Sequence, residues 1–340
     1  MTAVSRRTFL TAGATAGLVG SSARAQAAYP SQTIRLVVPY TPGGGSDFTG
    51  RLVAQKLQEI GGYNLIVDNR PGAAGMLGTE IVARAPADGY TLLYADVAHG
   101  INPAVYSKAR YDPVKSFVPI TLVGASPQVL VANPSFPANS LKELLAMPRD
   151  QLQKIPVGTP GQGSGPHLTY ELLRTKVGLD LVHVPYKGGG PALADAINGQ
   201  IPLVMNAMPP VMPHLQSGKL KALAIATAER HPRLPDVQTY AESAPGVVVY
   251  NWYGFLAPAG TPPEVTNKLA ADIARVLVLP DVKEKFDAAA KTIEEINEKE
   301  VKLGWDPTEF EIFEKTTEAL QPYERLWSLA SEYQKTHTQW

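Results

Sequence analysis

Val38-Pro39-Tyr40-Thr41-Pro42-Gly43-Gly44-Gly45-Ser46-Asp47 joins an apolar run, Ile34 to Val38, to apolar residues at helical spacing, Phe48, Leu52, Val53, Leu57 and Ile60. It reads as a buried strand running into three glycines and then into a helix that Gly61-Gly62 stops. The first N–H groups of such a helix have no partner within it and lie at the positive end of its dipole, so an anion completes them. A Cβ at Gly43 or Gly44 would hold the anion's oxygens away, and positive φ costs glycine little. Thr41 and Ser46 add hydroxyl donors, and Asp47 is read as the N-cap.

Strands and helices alternate beyond this turn. Asn64 to Asp68 and Thr91 to Ala95 read as strands, and Pro71-Gly72-Ala73-Ala74-Gly75 turns into a helix through Ile81 and Val82. The order β-α-β-α-β calls for a parallel sheet. Phe117 to Val131, interrupted by Gly-Ala-Ser-Pro, and Trp252 to Pro258 read as two extended crossovers. Between them lies a second series, with strands Ile155 to Gly158, Leu181 to Tyr186, Leu203 to Asn206 and Ala222 to Thr227, and helices His167 to Val177, Pro191 to Asn198 and Val211 to Ser217. This predicts an α/β protein with one lobe inserted in another: residues 28–127 plus 252–340 form the first lobe and 128–251 the second. Val265, Leu269, Ile273, Val276 and Leu277 mark a long amphipathic helix. The helical, charge-rich tail after it, with Trp305, Trp327 and Trp340, is expected to cap the first lobe.

Residues 1–27 have the pattern of a twin-arginine export leader: Ser5-Arg6-Arg7-Thr8-Phe9-Leu10, a mildly apolar stretch to Ser22, and a small-residue cleavage site at Ala25-Gln26-Ala27. The whole chain balances 31 basic against 31 acidic side chains; without Arg6, Arg7 and Arg24 the mature chain carries about −3. A field of that size steers neither anions nor nucleic acid, so a bound anion must be caught by local geometry. The chain has no Cys, which excludes disulfides, cysteine nucleophiles and thiolate metal sites.

Two more glycine-rich turns precede helices, Gly158-Thr159-Pro160-Gly161-Gln162-Gly163-Ser164-Gly165 and Tyr186-Lys187-Gly188-Gly189-Gly190. Ligand crevices lie beyond the carboxyl ends of parallel strands, so turns from the two lobes are expected to face each other across a cleft. None of the three has the Gly-Lys-Ser/Thr of a phosphate-binding loop. A dinucleotide fingerprint is incomplete, since Phe48 replaces its third glycine, although Asp68 ends the second strand where a ribose-binding acid would sit. With the export signal, that keeps a nicotinamide or flavin oxidoreductase as the alternative reading. Around Ser164, Gln162 and Pro166 stand where a nucleophile elbow needs glycines, and no His-x-His or His-Glu-x-x-His spacing occurs. The residues offer no acid–base pair, no metal site and no cofactor site. His183 reads as a core histidine, and His167 as a helix-start residue facing the cleft.

Tyr29-Pro30-Ser31, Pro42-Gly43-Gly44-Gly45-Ser46-Asp47, Asn69-Arg70-Pro71-Gly72-Ala73, Asp88-Gly89-Tyr90-Thr91-Leu92-Leu93, Ile101-Asn102-Pro103, Tyr111-Asp112-Pro113, Val182-His183-Val184-Pro185-Tyr186-Lys187-Gly188 and Trp252-Tyr253-Gly254 follow one another in order. Together they resemble the Bug-type receptors of tripartite tricarboxylate transporters. The resemblance implies a periplasmic-binding-protein type II fold, a non-enzymatic monomer in the periplasm, no cofactor, and delivery of a small carboxylate to integral-membrane permease subunits. It names no ligand; a dicarboxylate, aromatic or aliphatic, is the ligand expected here, and the resemblance implies that one carboxylate is held between Tyr40 to Asp47 and Gly161 to His167. Tyr40, Thr41, Gly43, Gly44, Ser46, Asp47, Gly161, Gly163, Ser164 and His167 are then the proximal contacts. Ala98, His99, Tyr186, Lys187, Asn206, Met208 and Tyr253 are the distal ones. Asn206 stands where many relatives carry Asp, which takes a negative charge from the cleft.

Overall fold

The computed structural model describes residues 29–287. The leader assigned to residues 1–27 and the C-terminal cap with Trp305, Trp327 and Trp340 lie outside the described residues.

The strands are β1 (Ile34–Val38), β2 (Leu65–Asn69), β3 (Thr91–Asp96), β4 (Phe117–Ala132), β5 (Pro156–Thr159), β6 (Val182–Pro185), β7 (Leu203–Ala207), β8 (Lys221–Ile225) and β9 (Tyr250–Pro258). One sheet runs β2-β1-β3-β9-β4 and the other β6-β5-β7-β4-β8, with β4 common to both. The two repeat one pattern. Three parallel strands, β1 to β3 in one and β5 to β7 in the other, are followed by an antiparallel strand arriving from the other half, β9 beside β3 and β4 beside β7.

The first crossover is thus one strand of 16 residues, about 50 Å of extended chain. Phe117 to Pro127 pair with β9, and Gln128 to Ala132 pair with β7. The Gly-Ala-Ser-Pro interruption does not break it. Register shifts between Pro119 and Thr121 and between Leu122 and Gly124 absorb the irregularity. Pro127, which has no N–H to give a ladder, stands where the strand changes partners.

The helices Gly45–Gly61 and Pro263–Leu277 cover one face of the first sheet. Leu52, Val53, Leu57, Val265, Leu269, Ile273 and Val276 are buried there against Ile34, Leu36, Leu92 and Phe255. Gly62, at φ 64, ends the first of these helices in the left-handed conformation that Gly61-Gly62 predicts. The helix Gly165–Val177 buries Leu168, Leu172 and Leu173 against Leu130, Leu203 and Met205 of the second sheet. On the opposite face, Ala192, Val211 and Met212 cover Val129, Val131 and Val204. The helix Ala98–Val105, with Pro103 inside it, has no counterpart in the sequence periodicity. Its Ile101 joins the second half's core together with Val97, so the halves share apolar contact as well as strands.

Leu130 is fully buried in β4 beyond the switch of partners. Leu130→Ala is expected to lower unfolding stability by about 2–5 kcal/mol in urea titration, as cavity-forming core truncations do. A loss under about 1 kcal/mol would mean that this segment of β4 is not part of the core.

Candidate functional site

The three glycine turns meet. Gly44, in ordinary extended backbone at φ −89 and ψ 176, is the N-cap of the helix Gly45–Gly61 and brings no side-chain cap. Ser164 caps the helix Gly165–Val177, its hydroxyl accepting the His167 N–H at 3.4 Å. Gly188 precedes the helix Gly189–Ile197. The first and third turns lie backbone against backbone: the Thr41 N–H donates to the Lys187 carbonyl at 3.3 Å. A Cβ on Gly44 would come 3.1 Å from the Gly189 nitrogen, and one on Gly190 only 2.1 Å from the Pro42 oxygen. These glycines therefore serve first the approach of one half to the other, where the sequence reading gave Gly43 and Gly44 only the approach of an anion.

Between the turns lies a small cavity that opens to solvent. Tyr40, Gly44, Gly45, Ser46, Asp96, Asn251 and Tyr253 line it from one side, and Pro160, Ser164, Pro166, Gly189, Asn206 and Ala207 from the other. Of the residues expected from the sequence, Tyr40, Gly44, Ser46, Ser164, Asn206 and Tyr253 reach it. Asn206, 1% exposed, donates to the Gly189 carbonyl at 3.2 Å and accepts the Ala207 N–H at 2.9 Å, which ties the third turn to the end of β7. Gly45 is indispensable for a local reason, since a Cβ there would lie 2.4 Å from Tyr253 Oη.

The other expected residues stand behind the wall or away from it. Asp47 is not the N-cap but the third helical residue. Its carboxylate reaches back to the Gly43 N–H at 3.0 Å and accepts from Arg51 and Asn69 at 2.9 and 2.8 Å. Thr41 and Lys187 contribute the backbone bond between the turns, and the Lys187 side chain is exposed. Gly161 and Gly163, at φ 143 and 87, shape the second turn. Tyr186 donates to Asp195 at 2.7 Å, and Met208 is fully buried in the apolar core. Ala98 gives its N–H to Asp96 at 3.0 Å. His99 faces Pro113, Tyr111 and Phe117, its Nε2 lying 2.9 Å from the Pro113 oxygen. His167 lies behind the second turn, where its Nδ1 accepts the Gly163 N–H at 3.1 Å. That bond places the ring proton on Nε2, toward Glu171, so the ring is no base for Ser164.

Gly45, Asp96, Pro160, Pro166, Gly189, Ala207 and Asn251 were missed. Asp96 ends β3, the same carboxyl-end position that draws attention to the turns, and could have been found by the same rule. Asn251 gave no signal, because its position depends on how β9 enters the first sheet.

Burial moves the titratable groups toward neutrality. Desolvation pushes the Tyr40 and Tyr253 phenols up and raises Asp96 to about 6 against the four groups that hydrogen-bond to it. It lowers His99 and His183 to about 4, and, with His183 and Arg174 nearby, His167 to about 3. No group of three or more His, Asp or Glu among the described residues is placed to hold a metal. The site has dipoles and hydroxyls, with no cationic side chain in its lining. An anion there gains about 0.3–2 kcal/mol from a helix start and about 1.5–3 kcal/mol from each charge-assisted hydrogen bond.

The three neutral histidines set a pH dependence. Unfolded, each takes up a proton below about 6.5; folded, each resists it, so stability present above about 6.5 is lost as pH falls toward 4, by about 1.4 kcal/mol per pH unit for each ring. Asp96 acts oppositely: its contribution is complete below 3.8 and is lost as pH rises through about 6, which offsets one histidine. The melting temperature is expected to fall between about pH 6.5 and 4.5, and less so in His183→Gln, as calorimetry would show. A midpoint that rises over this interval would contradict the buried neutral rings.

The model of the tripartite tricarboxylate transporter family receptor matches residues 49–301. The solved periplasmic binding protein BugD is 32% identical, with a TM-score of 0.78 over 91% of this chain and 98% of its own. An R. palustris protein solved with adipate is 31% identical, TM-score 0.79, over 89% of this chain and 98% of its own. MatC from Rhodopseudomonas palustris, solved with bound malate, is 31% identical, TM-score 0.77, over 90% and 100%. The fold is the α/β periplasmic-binding-protein fold, and the family is one of transport receptors and not of enzymes, which removes the oxidoreductase alternative. With its glycine turns converging from two lobes on one small cavity, the chain belongs to the tripartite tricarboxylate transporter receptor family, the Bug-type receptors.

Proposed function

We propose that this protein captures a small dicarboxylate, aliphatic or aromatic, between its lobes and delivers it to the permease subunits of a tripartite tricarboxylate-type transporter. It acts in the periplasm as a monomer without cofactor, exported through its twin-arginine leader. The observation that carries this reading is the convergence of the helix starts at Gly44-Gly45 and Ser164-Gly165 on a cavity without a cationic side chain. Such a site holds a carboxylate by main-chain N–H groups and the hydroxyls of Ser46 and Ser164. The adipate and malate carried by the two R. palustris relatives support a dicarboxylate. Tyr40, Gly44, Ser46 and Ser164 are assigned to one carboxylate, and Asn206 and Tyr253 to the far end.

Residues 128–251 form the moving lobe in this reading. Its hinges are the points where the chain crosses, Pro127-Gln128 in β4 and Tyr250-Asn251 in β9. Closing about two strands brings Gly44 onto Gly189.

Mass spectrometry of material that co-purifies, followed by a thermal-shift panel of malate, adipate, succinate, a benzene dicarboxylate and their monocarboxylate counterparts, tests the class of ligand. Stabilisation by monocarboxylates alone would sink the dicarboxylate reading. Gly44→Val places a branched side chain between the turns in a backbone conformation that valine tolerates. It is expected to abolish ligand-dependent stabilisation while circular dichroism shows the fold intact. Undiminished binding by this variant would remove the site from the first turn.

A further inference from the structure

Among the described residues, the one acid or base side chain in the cavity wall other than the tyrosines is an acid. Asp96 is 7% exposed, and no lysine, arginine or histidine lines the cavity with it. A carboxylate captured there meets a like charge unless Asp96 is neutral.

The hydrogen-bond geometry is that of a neutral acid. Tyr40 Oη lies 3.2 Å from Asp96 Oδ1 and 3.1 Å from the Ala74 carbonyl oxygen. A phenol has one proton and a carbonyl has none, so an ionised Asp96 leaves one of these oxygen pairs with no hydrogen between them. A proton on Oδ1 completes the chain: Asp96 donates to Tyr40, and Tyr40 donates to Ala74. Oδ1 still accepts the Ala98 N–H at 3.0 Å, and Oδ2 the Ser46 hydroxyl at 3.2 Å. The Ala74 oxygen is fixed from its other side by Asn102 Nδ2 at 3.0 Å.

The surroundings supply no compensating charge. The titratable groups facing Asp96 are Tyr40 after β1, Tyr94 on its own strand, Tyr111 ahead of β4 and Tyr253 on β9, each held neutral by burial. From the helix Gly45–Gly61, Ser46 gives a hydroxyl, while Asp47 is turned to Arg51 and Asn69. Burial also moves the Asp96 carboxyl up, to about 6, the direction that the Tyr40 geometry requires.

We propose that Asp96 sets the charge specificity of the site by standing as a neutral acid beside the bound ligand, so that a carboxylate is captured together with one proton. This rests on the reading of the cavity as a carboxylate site. The proton comes from solvent and resides on Oδ1. Between the pKa of Asp96 in the free protein and its higher pKa in the complex, affinity for a carboxylate then weakens about tenfold per pH unit. An ammonium group in the same place would favour the ionised acid and reverse the sign, so the residue selects against amines as pH falls.

The test is carbon-13 NMR of the full chain labelled at aspartate Cγ, with Asp96 assigned through Asp96→Asn, titrated alone and with malate or adipate. Calorimetry with the same two compounds in buffers of different ionisation heat counts the protons. The free protein is expected to show an Asp96 midpoint near 6, raised by about three units or more by ligand. Uptake of about one proton and a roughly tenfold weaker Kd at pH 8 than at pH 7 should accompany it, and Asp96→Asn should flatten that pH dependence. A free midpoint below about 5, or wild-type affinity that does not change with pH, would overturn the proposal. If neither compound binds at any pH, the dicarboxylate reading fails separately. The midpoint in the free protein then decides alone, near 6 for the neutral acid and below about 5 against it.

Discussion

Beside the cavity, main chain from one half of the molecule lies against main chain from the other, and the Thr41 N–H reaches the Lys187 carbonyl across the gap. This approach requires Gly44, Gly188, Gly189 and Gly190 to be bare, because each would carry a Cβ into the opposing backbone or into Asn206. It also fixes where the two helix starts point, and so where an anion sits. One neutral hydrogen bond contributes about 0.5–1.5 kcal/mol net. That is enough to bias the halves toward contact and too little to lock them, which suits a receptor that must release what it holds.

The connections between the halves serve the same end. Each sheet takes its antiparallel strand from the chain that has just crossed over, so β4 and β9 carry structure and hinge at once. A partner change at Pro127 and Gln128 costs no ladder hydrogen bond that proline could have made. Rigid sheets on either side then turn about short segments, and the glycine turns move as parts of those sheets.

The cavity recognises charge without carrying the opposite one. Main-chain N–H groups and hydroxyls attract an anion to a place where, among the described residues, the only lining carboxyl is Asp96, itself enclosed by Tyr40, Ser46, Ala98 and Asn251. Fixed dipoles need no reorganisation on binding, and a wall free of lysine and arginine avoids the strong, slow release that buried ion pairs bring. Three of the chain's six histidines, His99, His167 and His183, are turned into the lobes and held neutral there.

The sequence by itself determined the alternation of strands and helices, the three glycine-rich strand ends and the family. These are local signals: apolar periodicity, helix stops such as Gly61-Gly62, and motifs in order along the chain. Through the family's motifs it pointed to Tyr40, Gly44, Ser46, Ser164, Asn206 and Tyr253, which line the cavity. Only the tertiary structure decided which neighbours face the cavity and which stand behind it. His99 and Met208 sit at helix starts as plausible as any, yet they point into apolar cores, a direction fixed by the packing of Tyr111, Phe117 and Val211 around them. Asp96 and Asn251 enter the site because β9 pairs with β3 and β4 across more than about 120 residues of sequence, and such long-range pairing leaves no trace in local pattern.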